Sequence, residues 1–273
     1  MKRNEENGVI YYTFENLDAV GFVRHGFSTR IGGVSQGPFA AMNLGLGTAD
    51  DMDNIKENYR LFCDAVGFNL ENIVISNQTH TTNIRNVDDL PENNDFFVKR
   101  PFQDVDGLVT DKAGIVLTTY YADCVPLLLC DPVKRVVANC HAGWRGTANG
   151  MASKAVQKMV SDYDCNPRDI IAGIGPSISC KNFEVGAEVV QEFKNLLPFS
   201  VDFVYNSHTA KDKFHIDLWG INRQSLIEAG LRENNIEVAG MCTFDDEATF
   251  YSHRRSGAQR GSLAAFIELV EME

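Results

Sequence analysis

"ADCVPLLLC", residues 122–130, and "HAGWRG", residues 141–146, decide how this chain is read. The first is apolar almost throughout, as a strand buried on both faces must be, yet it opens on Asp123 and Cys124. The second puts His141 at the end of another apolar run, "KRVVANC". A thiol and an imidazole at the ends of two buried strands allow three readings: packing residues, a nucleophile with its base, or metal ligands.

Catalytic zinc takes three protein ligands and leaves a fourth position open, and two His with one Cys is a documented set, used by alcohol dehydrogenases and zinc deaminases. His80, in "SNQTH" just past a third strand-like run, supplies the second imidazole. Cys140 is removed from that set by alternation, since successive strand side chains point to opposite faces. Cys130 lies roughly 20 Å from Cys124 along an extended chain. Both read as small buried hydrophobes, as do Cys63, Cys165 and Cys242. The rival chemistry is a Cys124–His141 hydrolase pair, which needs no His80.

Other strand-like runs are "NIVISNQTH", "VDGLVTD", "GIVLTTYYADCVPLLLC", "DIIAGIG", "KFHIDL" and "VAGMCTF". Helical spacing appears in "DDMDNIKENYRLFCDAVG", where Ile55, Tyr59, Phe62 and Val66 share a face between Asp and Gly67. It returns in "TANGMASKAVQKMVSDY", "VGAEVVQEFKNLL" and "LWGINRQSLIEAGL". Strands and helices interleave without strict alternation, which predicts an α/β (α+β) fold: a single mixed-sheet, layered domain over residues 1–273. Residues 86–107 form a polar stretch expected to be a long surface loop.

The formal net charge of −12 on 273 residues speaks against a nucleic-acid polymer as partner and for small molecules. No apolar run approaches the roughly 18–20 residues of a membrane span. The N-terminal "MKRNEENGVIYYTFEN" lacks the apolar core of a signal peptide. Seven Cys without paired spacing fit a reducing compartment, so the expected location is cytoplasmic. Against the acidic background, basic residues gather in glycine-rich or turn-like segments. Arg145 follows His141 at a helix start, read either as an anion site or as an ordinary start capped by Thr147. Arg30 sits in "HGFSTRIGGVSQGPFAAMNLGLGTADD", and "YSHRRSGAQRG" groups Arg254, Arg255 and Arg260, a surface basic patch or an anion-capturing one.

Taken in order, "HGFSTRIGGVSQGPFAAMNLGLGTADD", "NQTH", "DGLVTD", "YADCVPLLL", "ANCHAGWRGT", "GIGPSISCKNFEVG", "HIDLWGINRQSL" and "CTFDDEATFYSHRRSGAQRG" resemble the laccase-domain, or multicopper polyphenol oxidase, family over nearly the whole chain. The resemblance implies a fold distantly similar to cysteine-hydrolase-type toxins. It implies zinc held by His80, Cys124 and His141, purine nucleosides and phosphate as substrates, and phosphorylase activity on adenosine, inosine, guanosine and methylthioadenosine with adenosine deaminase activity besides. By analogy Arg30 and Asn43 line the nucleoside and phosphate pocket, joined by Arg145 and Arg260. The chain departs from the family pattern at "QTHT", "AQRG" and "ENYR".

In deamination zinc would activate water for attack at the purine C6, with Asp123 as the nearest carboxylate to move the proton. In phosphorolysis Arg30 or Arg145 would hold the attacking phosphate. The older family name points instead to copper (Cu2+) and phenol oxidation. Six His without a His-x-His pair are too few for a multicopper cluster. A non-catalytic binding protein is the remaining class, and a fourth protein ligand on the metal would mark it.

Overall fold

The fold is described from a computed structural model covering residues 1–92, 94–208 and 210–271. Two six-stranded sheets lie face to face. The first runs, in spatial order, Lys2–Glu6, Val9–Thr13, Val23–Ser28, Leu263–Leu269, Val116–Tyr121 and Ile73–Val74. The second runs Ile236–Val238, Ile171–Ile174, Val125–Asp131, Val136–Ala142, Gly107–Thr110 and Ile84–Asn86. Most pairings are antiparallel, while one edge pairing of the first sheet and both of the second are parallel, so the sheets are mixed as expected.

Side-chain alternation explains the layering. On Val125–Asp131, Leu127 and Leu129 pack against the helices Met151–Tyr163 and Leu218–Glu228, while Leu128 and Cys130 join the core between the sheets. On Leu263–Leu269, Ala265 and Ile267 face inward, whereas Phe266 turns outward and stacks on Phe62, ring centroids 4.7 Å apart. Phe62 belongs to the helix Met52–Val66, capped by the Asp51 carboxylate and ended by left-handed Gly67, the limits its sequence predicts. The order of layers is thus helix, sheet, sheet, helix. No helix among the described residues is long and apolar enough to cross a membrane.

Two expectations change. "GIVLTTYYADCVPLLLC" is not one strand: Val116–Tyr121 belongs to the first sheet and Val125–Asp131 to the second. Residues 122–124 are the corner where the chain passes between sheets, with Asp123 at φ 86°. "TANGMASKAVQKMVSDY" breaks at Gly150, φ 75°, into Trp144–Ala148 and Met151–Tyr163. Thr147 therefore lies within the first helix, and its hydroxyl accepts a hydrogen bond from the Asn222 amide at 3.0 Å rather than capping a start. The stretch 86–107 is largely irregular, yet it buries Val87 and Phe96.

One polar residue ties the sheets together. Asn139 is fully buried on the second sheet and donates to the carbonyls of Leu117 (2.9 Å) and Ala265 (2.8 Å) in the first. Asn139→Leu keeps the branched shape and removes the donor from both carbonyls. Each such buried orphan costs about 1–3 kcal/mol. The variant is expected to lose about 2–5 kcal/mol of unfolding free energy, read from the guanidinium denaturation midpoint.

Candidate metal centre

The centre begins with Asp106, a fully buried carboxylate that precedes the strand Gly107–Thr110. That strand pairs with Val136–Ala142 in a register placing Gly107 opposite Cys140, so His141 lies beside Asp106. The His141 backbone N–H donates to the Asp106 carbonyl at 2.7 Å, and its Nδ1–H donates to Asp106 Oδ1, also at 2.7 Å. With Nδ1 held by Asp106, Nε2 is the nitrogen left for the site.

The same carboxylate shapes the loop that bears His80. The N–H groups of Thr79 (3.0 Å), His80 (3.1 Å) and Thr81 (2.9 Å) all donate to it, as does the Thr81 hydroxyl at 3.2 Å. Three consecutive amides converge on the anion here as a nest closed by a left-handed residue, His80 at φ 66°. That backbone is uncommon outside glycine, though histidine takes it more readily than most residues, and the buried anion holds it there.

Cys124 enters from the corner between the sheets. The Asp123 carboxylate fixes that corner by accepting from the Thr243 hydroxyl (2.7 Å), the Ser252 hydroxyl (3.0 Å) and the Arg254 N–H (2.6 Å). The Asp123 carbonyl accepts from Ile178 N–H at 3.0 Å. As a result one ligand atom from each of His80, Cys124 and His141 lies within 4.8 Å of the other two, and His80 Nε2 is 3.9 Å from Cys124 Sγ. They are the one such cluster of three or more among the described residues.

Gly143 closes the cradle. Its φ of −63° asks for no glycine, but a Cβ there would stand 2.8 Å from His80 Cδ2 and 3.2 Å from Cys124 Sγ. Only a residue without a side chain leaves room for the three donors to meet.

Electrostatics suit the same arrangement. Burial raises the Cys124 pKa, but His141 and His80 outweigh it and bring the thiol down to about 6. Burial lowers His141, but the Cys124 thiolate and Asp106 outweigh it and lift the imidazole to about 9. Burial also raises Asp106, yet the hydrogen bonds from His141 and from the Thr79 and Thr81 amides leave its carboxyl below the ordinary value. Thiolate and imidazolium thus favour one another across this pair. By contrast, burial pushes the Cys63, Cys130 and Cys140 thiols up to about 12.

The three donors open on a cavity of about 1020 Å³. Of the residues expected to line it, Arg145 and Arg260 do, and Asp123 reaches it with both carboxylate oxygens already engaged. Arg30 and Asn43 are not in its wall. Arg30, expected on phosphate, donates to the Ala40 carbonyl (2.8 and 2.6 Å) and to the Glu247 carbonyl (3.1 Å). Asn43 is buried and holds the Gly45 and Ser262 N–H groups, each at 2.9 Å. It thereby shapes the Gly45–Ala49 loop, which does line the cavity. Wall residues without a reading in the sequence include Gln78, which brackets the Tyr120 backbone (2.8 and 3.1 Å), Arg100 and His253. Asp106 had none either. Its visible signal is a carboxylate immediately ahead of the strand that pairs with the His141 strand.

Fold and site together define a layered mixed α/β protein with a two-His, one-Cys candidate metal centre. The family model described as multi-copper polyphenol oxidoreductase laccase matches residues 24–270, and the chain belongs to that family. It is 35% identical to "Purine nucleoside phosphorylase YlmD" of Bacillus subtilis over 90% of this chain and 88% of that protein. It is 34% identical to "Purine nucleoside phosphorylase YfiH" of Escherichia coli over 89% of this chain and 92% of that one. The crystal structure of YlmD from Geobacillus stearothermophilus superposes with a TM-score of 0.89 at 34% identity, covering 98% of both chains.

Two outcomes follow from this geometry. Asp106→Asn cannot serve the imidazole and three amides as an anion does, and Gly143→Ala places a methyl among the donors. Each is expected to weaken zinc binding by about 10–100-fold in chelator competition while circular dichroism stays unchanged. The proton on His141 must also leave when metal enters. Apparent zinc affinity should therefore rise about ten-fold per pH unit between the two pKa values, near 6 and near 9, and flatten above. Below about 6 the thiol is protonated too and the slope steepens.

Proposed function

We propose that this chain is a zinc-assisted purine nucleoside phosphorylase that also deaminates adenosine. The observation that carries the reading is the His80–Cys124–His141 cluster opening on a cavity walled by Arg100, Arg145, Arg254 and Arg260. The names of the relatives support the substrate class, and the share of each chain covered supports carrying it over.

The donors fit zinc: two imidazoles and a thiolate, with one imidazole fixed in its tautomer by a buried carboxylate, are what the ion takes in catalytic sites with an open position. When bound there, zinc supplies Lewis acidity to a substrate oxygen or water at that open position. The remaining work falls to the chain. In phosphorolysis a phosphate oxygen bonds to the ribose C1′ while the glycosidic C–N bond breaks and its electron pair leaves on the purine. Arg260 and Arg100 are placed to hold that phosphate. Arg260 donates to the Ser262 hydroxyl at 3.0 Å, and its Nε has no partner. Arg100 donates to Asn77 Oδ1 at 3.0 Å and flanks Gly47 on the same loop. The Gln78 and Tyr120 edge and the apolar Phe183 and Leu218 offer surfaces for a purine and ribose.

The thiolate favours a second reading, a Cys124–His141 hydrolase, since a low-pKa Cys beside an imidazolium is an activated nucleophile without any metal. Copper, as the alternative ion, would occupy one site rather than a cluster, and no Met among the described residues lines the cavity to serve as an axial ligand.

Zinc-loaded protein given adenosine and phosphate is expected to release adenine, ribose 1-phosphate and inosine. His80→Ala and Cys124→Ala should each abolish turnover in folded protein. Absence of all three products rejects the proposal. Activity that survives chelation and dies on thiol alkylation selects the hydrolase.

A further inference from the structure

The cavity wall carries more positive charge than a neutral nucleoside and one phosphate require. Among the described residues four arginines line it, against a single carboxylate, Asp123, which is already occupied. None of the four is in an ion pair; the arginine ion pairs among the described residues involve Arg3, Arg24, Arg60, Arg223 and Arg255. Such an excess in a chain of net charge −12 focuses anions on this one opening. A phosphate group brings only about −1.5 to −2.

The four also fall into two groups. Arg100 and Arg260 meet the Gly45–Ala49 loop: Arg100 Nη2 is 3.5 Å from where a Gly47 Cβ would stand, and the Ser262 hydroxyl that Arg260 bonds is 2.7 Å from the equivalent point on Gly45. Arg254 and Arg145 border a different, apolar wall. Arg254 lies 5.4 Å over the Phe183 ring and is held by the carbonyls of Asn182 (3.1 Å) and Glu184 (3.0 Å). Arg145 lies 4.2 Å over Trp144, which packs toward Phe193 of the helix that follows Glu184–Gly186. Both are exposed and keep N–H groups for a ligand.

We propose that the cavity holds two anions at once, so that its ligands include purine nucleotides: inorganic phosphate sits between Arg100 and Arg260, and a phosphate on the nucleoside 5′ oxygen sits against Arg254 and Arg145. This deepens the phosphorylase reading and rests on it for the placement of the purine.

Calorimetric titration of zinc-loaded protein in phosphate-free buffer tests it, with inosine and inosine 5′-monophosphate as probes because neither phosphorolysis nor adenosine deamination can then occur. The nucleotide is expected to bind at least about ten-fold tighter than inosine, the scale of hydrogen bonds to a charged group. Arg254→Met should shrink that ratio to below about three-fold. Saturating inorganic sulfate, an unreactive tetrahedral dianion, should leave nucleotide affinity within about three-fold. Equal affinities for the two probes, an unchanged ratio in Arg254→Met, or displacement of the nucleotide by sulfate overturns the second anion position. The phosphorylase reading fails on a different result, the absence of products from adenosine and phosphate.

Discussion

The site depends on one buried charge. Asp106 lies where a carboxylate is expensive, and it is stable there because five donors converge on it: the His141 imidazole, three successive amides and the Thr81 hydroxyl. Those donors belong to two separate pieces of chain, the end of the Val136–Ala142 strand and the loop around His80. A single anion therefore fixes the position of two candidate metal donors, the tautomer of one and the left-handed backbone of the other. The third donor, Cys124, is set independently by the corner between the sheets, which a second carboxylate, Asp123, anchors to residues 243, 252 and 254. Two carboxylates thus set the positions of all three side chains.

The layering makes this possible. Strands buried on both faces leave their ends as the places where polar side chains can gather. Two such ends, before Val125 and at Ala142, and the loop that follows the short, separate strand Ser76–Asn77 bring the candidate donors together. The cavity above them is bounded by segments far apart in sequence, from the Gly45–Ala49 loop to Arg260. Its basic wall in an acidic protein concentrates small anions while the rest of the surface repels polyanions.

How much of this could be read beforehand follows from periodicity. Cys124 and His141 were legible because they interrupt apolar runs at strand ends, and Cys140 could be set aside because alternation turns it toward the helices, where it is buried. The helix Met52–Val66 was legible from its spacing and caps. Asp106 was not, since it sits in a stretch with Asp88, Asp89, Asp95 and Asp104 and no period distinguishes one acid from another. Arg100 was hidden in the same stretch. Arg30 and Asn43 were recognised as residues of a glycine-rich loop, but a sequence does not say whether a polar side chain turns outward to a ligand or inward to the backbone. Both turn inward. The break at residues 122–124 was missed because Asp123 marks a strand end without saying that the chain changes sheet there.

X-ray absorption at the zinc edge of the loaded protein tests the central claim most directly. One sulfur at about 2.3 Å with two imidazole nitrogens at about 2.0–2.1 Å and a light-atom fourth neighbour is the shell that His80, Cys124 and His141 predict. A shell without sulfur, with two sulfurs, or with more than one metal per chain would contradict it.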